Sequence, residues 1–258
     1  MSYPTLSVDV TDRLAVVTVD RPEARNALNR QVLADLRVAL DALREDDRVG
    51  VVALTGAGRK AFVAGADITQ LRDDTLRTGL DAEMQRLFDD IEAFEKPTIA
   101  AVNGFALGGG CELAMACDIR IAANSARFGL PETNLSVLPG AGGTQRLARL
   151  IGTGRAIELI LTGRFLEADE ARQAGLVTSV VTPAGLIAET RAVADRILAK
   201  GPLAVRLAKL VVRAGMDTDQ RTGQVVERLA QSLLYTTDDK REGAAAFLEK
   251  RTPDFQGR

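Results

Sequence analysis

Largely apolar runs recur in the first half of this chain, and they constrain its fold more than any other feature. Val49–Thr55, Thr98–Val102 and Ile119–Ala122 are such runs. A strand that is apolar along its length is typical of a sheet covered on both faces. Strand, loop and helix patterns follow one another repeatedly, which indicates a repeating spiral. We therefore expect an α/β fold.

The remaining periodicity predicts mixed α/β structure first and helices alone at the end. A strand hairpin is expected at Leu6–Val10 and Leu14–Asp20, and a helix capped by Asn29 is expected to reach Glu45. Predicted loops are Gly56–Ala66 and Gly104–Gly110, and further predicted strands are Arg127–Gly129 and Leu176–Val181. Further predicted helices are Leu80–Glu95, Cys111–Ala116, Leu147–Ile151, Arg155–Leu161, Ala168–Ala174, Ala184–Lys200, Pro202–Ala214, Asp217–Leu234 and Lys240–Lys250. We predict a core of residues 1–195 and a C-terminal helical region of residues 196–258.

Composition excludes several classes of function. The formal net charge is −2, which argues against binding nucleic acid through a general basic surface. The sequence contains neither an apolar stretch long enough for a membrane span nor a secretory signal, so we expect a cytoplasmic protein without a membrane partner. Its glycine-rich segments match neither the phosphate-loop nor the dinucleotide-binding spacing.

Histidine is absent, so acid–base chemistry near neutral pH must use carboxylates or lysines. Catalysis by a serine–histidine or cysteine–histidine pair is excluded. Cys111 and Cys117 are predicted to be small buried apolar residues, and we expect no metal site.

Two glutamates lie beside segments that can expose the backbone. Glu112 follows Gly108, Gly109 and Gly110, where a helix N-terminus would offer unpaired N–H groups to an oxyanion. The alternative is a tight turn without a ligand, in which Glu112 only complements the helix dipole.

Two further segments could complete such a site. The Ala66 N–H in Ala64–Ile68 could point to the same place as that of Gly109, whereas Asp67 is better explained as a helix cap than as a catalyst. Glu132 follows Pro131 and precedes the glycine-rich segment Pro139–Gly143. It is either a surface acid in a turn or the partner of Glu112, in which case burial and the second charge would raise the pKa of a carboxyl group.

Taken together, these segments resemble the enoyl-CoA hydratase (crotonase) family over nearly the whole chain. The matching segments are Ala64–Ile68, Ile99–Glu112, Phe128–Glu132, Pro139–Gln145, Leu161–Gly163, Ala168–Val177 and Asp238–Arg251. The resemblance implies a spiral of ββα turns followed by a helical region used for trimer formation, commonly in a dimer of trimers.

The resemblance also implies roles for individual positions. The N–H groups of Ala66 and Gly109 would form the oxyanion hole for a thioester, and Glu112 and Glu132 would hold the reacting water. The N–H of Gly140 would be a third contact to that water. The neighbouring positions expected in the water and substrate site are Asp67, Ile68, Gly108 and Pro131.

Contacts to coenzyme A are implied at a further set of positions. They are Arg25, Ala27, Lys60 and Ala64, together with Lys250 from a neighbouring subunit. Thr69 stands where some hydratases have a lysine. The segment Leu71–Leu87 is expected to line the acyl end of the substrate.

Retention of both glutamates favours a lyase, an enoyl-CoA hydratase that converts trans-2-enoyl-CoA to 3-hydroxyacyl-CoA in fatty-acid beta-oxidation. No cofactor is expected beyond the coenzyme A of the substrate. The alternatives are an enoyl-CoA isomerase or another crotonase-type enzyme, and a non-catalytic or RNA-binding member of the fold.

Overall fold

A computed structural model describes residues 3–258 of the chain, apart from the side chains of Gln70 and Leu71. The strands are β1 Leu6–Thr11, β2 Leu14–Val19, β3 Val51–Gly56, β4 Ala61–Val63, β5 Thr98–Val102, β6 Phe105–Leu107, β7 Ile119–Ala123, β8 Arg127–Gly129, β9 Leu166–Glu167 and β10 Ser179–Val181. The helices are α1 Arg30–Glu45, α2 Ile68–Leu71, α3 Leu76–Asp81, α4 Glu83–Glu92, α5 Gly109–Ala116, α6 Gly143–Ile151, α7 Thr153–Thr162, α8 Ala168–Gln173, α9 Leu186–Leu198, α10 Pro202–Met216, α11 Gln220–Leu234 and α12 Asp238–Glu249.

The strands form a larger and a smaller sheet. The larger has the order β1-β2-β3-β5-β7-β10, in which β1 is antiparallel to β2 and the other neighbours are parallel. The smaller has the order β4-β6-β8-β9, in which only β9 is antiparallel to its neighbour. The chain repeatedly places one strand in the larger sheet, the next in the smaller sheet, and then forms helix. This arrangement confirms the expected α/β spiral of ββα turns.

The larger sheet is buried on both faces, as its apolar strands predict. Val52 and Leu54 of β3 lie in one apolar cluster, which also contains the buried face of α1. Val51 and Ala53 point to the opposite face, where Leu186 of α9 packs. Alternate side chains of one strand therefore enter two cores, which accounts for the lack of polar residues along it.

The sequence pattern predicted strand β8 of the smaller sheet, Arg127–Gly129, but not β4 or β6. Strands β4 and β6 lie in the two segments expected to be loops, Gly56–Ala66 and Gly104–Gly110. Each has only three residues, too few to show a period of two. Their pairing with each other, and of β6 with β8, stabilises them instead.

Two other predicted elements were wrong in extent. The expected helix Leu80–Glu95 is divided into α3 and α4 at Ala82, which has a left-handed φ of 45°. A glycine would have signalled this helix end, but an alanine does not. The expected strand Leu176–Val181 begins only at Ser179, because the N–H groups of Leu176 and Val177 donate to Ala171 O at the end of α8.

The C-terminal segment after α12 folds back against the start of that helix. Asp239 accepts hydrogen bonds from the N–H groups of Gln256 and Gly257, at 2.7 and 2.8 Å. The predicted division between a core of residues 1–195 and a helical region of residues 196–258 falls within helix α9, which ends at Leu198. This division stays a prediction. Within the described chain, none of the helices has both the length and the apolar character required to cross a bilayer.

Both cysteines are free thiols in the core, as expected for small apolar residues. Burial raises the pKa of the Cys111 thiol and that of the Cys117 thiol to about 12.

Helix α5 approaches β4 so closely that Gly110 has no room for a side chain. A Cβ atom there would lie 1.9 Å from Val63 O. We expect Gly110→Ala to lower the free energy of unfolding by about 3 kcal/mol, because the helix must move off the strand. Urea unfolding measures this loss.

Gly154 of α7 provides the matched control. A Cβ atom there would meet nothing within 4 Å. We expect Gly154→Ala to raise the free energy of unfolding by about 0.5–1 kcal/mol through helix propensity. Equal effects of the two substitutions would contradict the close approach of α5 to β4.

Candidate active site

A cavity of about 560 Å³ lies where successive turns of the spiral meet. It is lined by residues from α1, the segment before α2, the α3–α4 junction, the start of α5 and the segments after β8. The cavity brings together a large part of the predicted site. The predicted residues that line it are Ala64, Ala66, Asp67, Ile68, Gly108, Gly109, Glu112, Pro131, Glu132 and Gly140.

Glu112 is held rigidly in the first turn of α5. The residue is 2% exposed. Its Oε1 accepts hydrogen bonds from the N–H groups of Ala141 and Gly143, both at 2.8 Å. Burial raises the pKa of its carboxyl group, while these two bonds and the charge of Arg146 oppose the rise. The carboxyl group is thus fixed by backbone donors that favour its ionised form.

Glu132 is held differently, at the start of a 3-10 turn after Pro131. Its Oε2 is buried and has no hydrogen-bond partner among the described residues. Burial raises the pKa of this carboxyl group to about 7; the charge of Glu112 raises it too, and the group's own backbone amide lowers it. Glu132 can therefore carry a proton near neutral pH.

The raised pKa of Glu132 predicts a pH-dependent cost in stability. The pKa of Glu132 is about 7 in the folded protein and 4.5 in its ordinary state, so the folded protein holds this proton more tightly than the unfolded chain. The resulting contribution to the free energy of unfolding is complete below about pH 4.5 and is lost as the pH rises through 7. Glutamine does not titrate. We expect Glu132→Gln to stabilise the protein more at about pH 8 than at about pH 5. Urea unfolding at both pH values tests this, and an equal difference from wild type at both would contradict it.

Two backbone amides converge beside these acids. Gly109 is the first residue of α5, so its N–H has no acceptor within the helix. The residues on either side of Ala66 form backbone hydrogen bonds with Leu28: Gly65 O accepts from Leu28 N, and Asp67 N donates to Leu28 O. In this bridge the Ala66 N–H itself points away from Leu28. The Ala66 nitrogen lies 3.6 Å from the Cβ position of Gly109. The two amides therefore lie close together, as the donors of an oxyanion hole must.

Glycine at position 108 allows Glu132 to lie close to these donors. Gly108 has a φ of +50°, and a Cβ atom on it would lie 3.0 Å from Glu132 Oε1. The backbone that presents the Gly109 N–H therefore contacts the second acid directly.

Asp67 has the contacts of a helix cap. Its Oδ1 accepts from the N–H and the hydroxyl of Thr69, at 3.3 and 2.7 Å, and its Oδ2 lies 3.4 Å from Arg21 Nη2. The Thr69 bonds and the Arg21 charge lower the pKa of this carboxyl. Asp67 therefore lines the cavity as a fixed anion.

Most of the predicted coenzyme A contacts lie outside the cavity. Ala64 lines it, and its N–H donates to Arg25 O at 3.2 Å. Arg25, Lys60 and Lys250 are exposed, and Ala27 is half-buried. The contact of Lys250 with coenzyme A bound to a neighbouring subunit stays a prediction.

Sequence reasoning missed several residues of the site. The amides on Glu112 belong to Ala141 and Gly143, whereas Gly140 lines the cavity without bonding to this carboxylate. Met84 is also a wall residue, with its Sδ 3.0 Å from the Cβ position of Gly109. It lies in the predicted acyl-lining segment Leu71–Leu87, whose first side chain is outside the described residues.

Comparison with known proteins gives one consistent result. Residues 9–258 match the family model described as enoyl-CoA hydratase/isomerase. The chain is 48% identical over 257 residues to a crotonyl-CoA hydratase of Syntrophomonas wolfei, covering 99% of each chain. It is 46% identical to a short-chain-enoyl-CoA hydratase of Clostridium acetobutylicum, covering 97% of each.

A solved structure agrees with this sequence match. The crystal structure of an enoyl-CoA hydratase from Bacillus anthracis superposes with a TM-score of 0.95 at 44% identity, covering 98% of this chain and 100% of that one. The chain belongs to the enoyl-CoA hydratase/isomerase family.

Proposed function

We propose that the protein adds water across the 2,3 double bond of a trans-2-enoyl-CoA, with Glu112 and Glu132 as the proton-transfer groups. The observation that carries this proposal is that the carboxyl groups of buried Glu112 and half-buried Glu132 share one cavity with the neighbouring backbone amides of Ala66 and Gly109. With a family match over residues 9–258 and relatives named hydratases, the chain is an enoyl-CoA hydratase, a hydro-lyase. Its substrate is an acyl-CoA, and the reaction belongs to fatty-acid metabolism.

The amide donors would act on the thioester carbonyl. With that oxygen between the N–H groups of Ala66 and Gly109, electron density is drawn from C3 of the enoyl group. The negative charge that develops during attack collects on the same oxygen. One such donor typically lowers the barrier by about 3–4 kcal/mol. The donors are fixed by the fold, so they need no reorganisation during the reaction.

The two acids would divide the proton transfers. The amides of Ala141 and Gly143 occupy Oε1 of Glu112, so we assign Oε2 to the water. Ionised Glu112 takes a proton as the water oxygen attacks C3. Protonated Glu132, with its pKa of about 7, delivers a proton to C2. The product is a 3-hydroxyacyl-CoA, and the mechanism calls for no metal or redox cofactor.

We assign the coenzyme A contacts to Arg25, Ala27, Lys60, Ala64 and, from a neighbouring subunit, Lys250. Large apolar side chains on the helical region support a homo-oligomer, a trimer or a dimer of trimers. Leu229, Phe247 and Leu248 are 65%, 84% and 80% exposed in the single chain. A cytoplasmic location and a place in beta-oxidation are part of the same proposal.

Hydration of crotonyl-CoA tests the activity directly. We expect loss of the enoyl-thioester absorbance and formation of 3-hydroxybutyryl-CoA. A protein that shifts the double bond of a 3-enoyl-CoA but leaves crotonyl-CoA unchanged would be an isomerase instead. A protein that does neither would overturn the proposal.

The names of the two most similar relatives reported above support a short acyl chain as substrate. A series of 2-enoyl-CoA esters from crotonyl-CoA to hexadecenoyl-CoA measures this preference. We expect kcat/KM to be highest for the shortest members, and a maximum at the longest would contradict the assignment.

A further inference from the structure

The segment that holds Glu112 is itself fixed by a buried arginine. Ala141 is bound on both sides of its Cα: its N–H donates to Glu112 Oε1 at 2.8 Å, and its carbonyl accepts from Arg146 Nη1 at 2.8 Å. Arg146 lies on α6, which begins at Gly143, the second amide donor to Glu112. The position of this guanidinium therefore determines where the donors to Glu112 lie.

Arg146 has little freedom to move. Its side chain is 9% exposed. The other guanidinium nitrogens bind carboxylates of α4, with Nε 2.7 Å from Glu92 Oε2 and Nη2 2.6 Å from Asp89 Oδ1. Glu92 also accepts a hydrogen bond from Arg213 of α10. Because the planar guanidinium is hydrogen-bonded on three sides, its orientation is fixed, and so is the position of the Ala141 carbonyl that it binds.

The segment is shaped around this side chain. Gly142 has a φ of +95°, a left-handed conformation that favours glycine. A Cβ atom at this position would lie 2.1 Å from Arg146 Nη1. The glycine thus permits both the turn and the close approach of the guanidinium.

We propose that Arg146 is a positioning residue for hydration: it holds Ala141 so that the Ala141 and Gly143 amides keep Glu112 in its water-facing geometry. The inference rests on the proposed function. Arg146 acts through the backbone, since Ala141 lines the cavity and the guanidinium binds the Ala141 carbonyl. Its guanidinium also opposes the effect of burial on the pKa of Glu112. The charged groups facing Arg146 are Asp89 and Glu92 of α4, and Glu132 is the acid that shares the cavity with Glu112.

Arg146→Gln tests the inference in the full-length enzyme with crotonyl-CoA as the probe. We expect kcat to fall about 10- to 100-fold while KM changes by less than about threefold, because displacing Glu112 affects the reaction more than binding. The acidic limb of kcat/KM should move to higher pH, since the carboxylate loses a positive charge and well-aligned amide donors. Arg146→Lys should restore part of the activity.

Arg149→Gln is the matched control. Arg149 lies on the exposed side of the same helix, where its Nη1 donates to Gln145 O at 3.2 Å. We expect wild-type kcat and an unchanged pH profile for this variant. If Arg146→Gln also kept wild-type kcat and the wild-type acidic limb, with only a lower melting temperature, Arg146 would be structural and the inference would be wrong.

Glu92→Gln provides a second test if Arg146→Gln does not fold. It retains a hydrogen-bond acceptor for Arg146 but loses the ion pair that holds the guanidinium, so we expect a smaller fall in kcat with KM again nearly unchanged. An unchanged kcat in this variant would overturn the inference. Inactive wild-type protein would instead contradict the proposed function, so the two failures are distinguishable.

Discussion

Replacement of Glu112 by glutamine is expected to lower kcat for crotonyl-CoA hydration by about 10²- to 10⁴-fold, because the water loses its base. The side-chain oxygen of glutamine can still accept from the Ala141 and Gly143 amides, which lie 2.8 Å from Oε1 in the wild type. The fold and the substrate contacts should therefore be retained. We expect KM to change much less than kcat, as measured by steady-state kinetics.

Two controls separate loss of the base from loss of structure. The thermal unfolding midpoint of Glu112→Gln should remain near that of wild type, and the variant should still bind a saturated acyl-CoA. Near-normal hydration by a folded Glu112→Gln variant would contradict the assignment of this residue as the base.

Replacement of Glu132 by glutamine is expected to have an effect of similar size and to change the pH profile. In the wild type, kcat/KM should decline above about pH 7 as Glu132 loses the proton that it delivers to C2. It should also decline at low pH, where Glu112 becomes protonated. Because glutamine does not titrate, the Glu132→Gln variant should lose the alkaline limb and keep the acidic limb.

The profile of kcat/KM against pH for both enzymes measures this difference. An alkaline limb that persists unchanged in Glu132→Gln would assign that limb to another group. The same variant is expected to be more stable than wild type above neutral pH. Lower activity with higher stability would show that the buried acid is kept for catalysis at the expense of stability.

The site could be predicted from sequence where local chemistry determines it. Glycines before Glu112 indicate a helix start with free N–H groups, and α5 begins at Gly109. The absence of histidine directs attention to the carboxyl groups. That Glu112 and Glu132 share a cavity depends on tertiary packing, and here the family resemblance supplied what periodicity alone did not.

Other features depended on details that the sequence pattern does not specify. The expectation of a Gly140 contact did not anticipate that Ala141 and Gly143 would hold Glu112, because the left-handed turn at Gly142 determines which amides point inward. Arg146 gave no signal in the sequence, where it lies just before the predicted helix Leu147–Ile151; in the structure the helix begins earlier, at Gly143.

The layered ββα turns have a consequence for how this enzyme can change. Ala66, Gly109 with Glu112, and Glu132 belong to consecutive turns and meet only because those turns are stacked in register. Helix α3 lies between the first two at the wall of the cavity, whereas the following helix α4 binds Arg146 through Asp89 and Glu92. We expect that lengthening or exchanging α3 alone would change this wall of the cavity while leaving the reacting groups in place, so substrate range can diverge independently of chemistry.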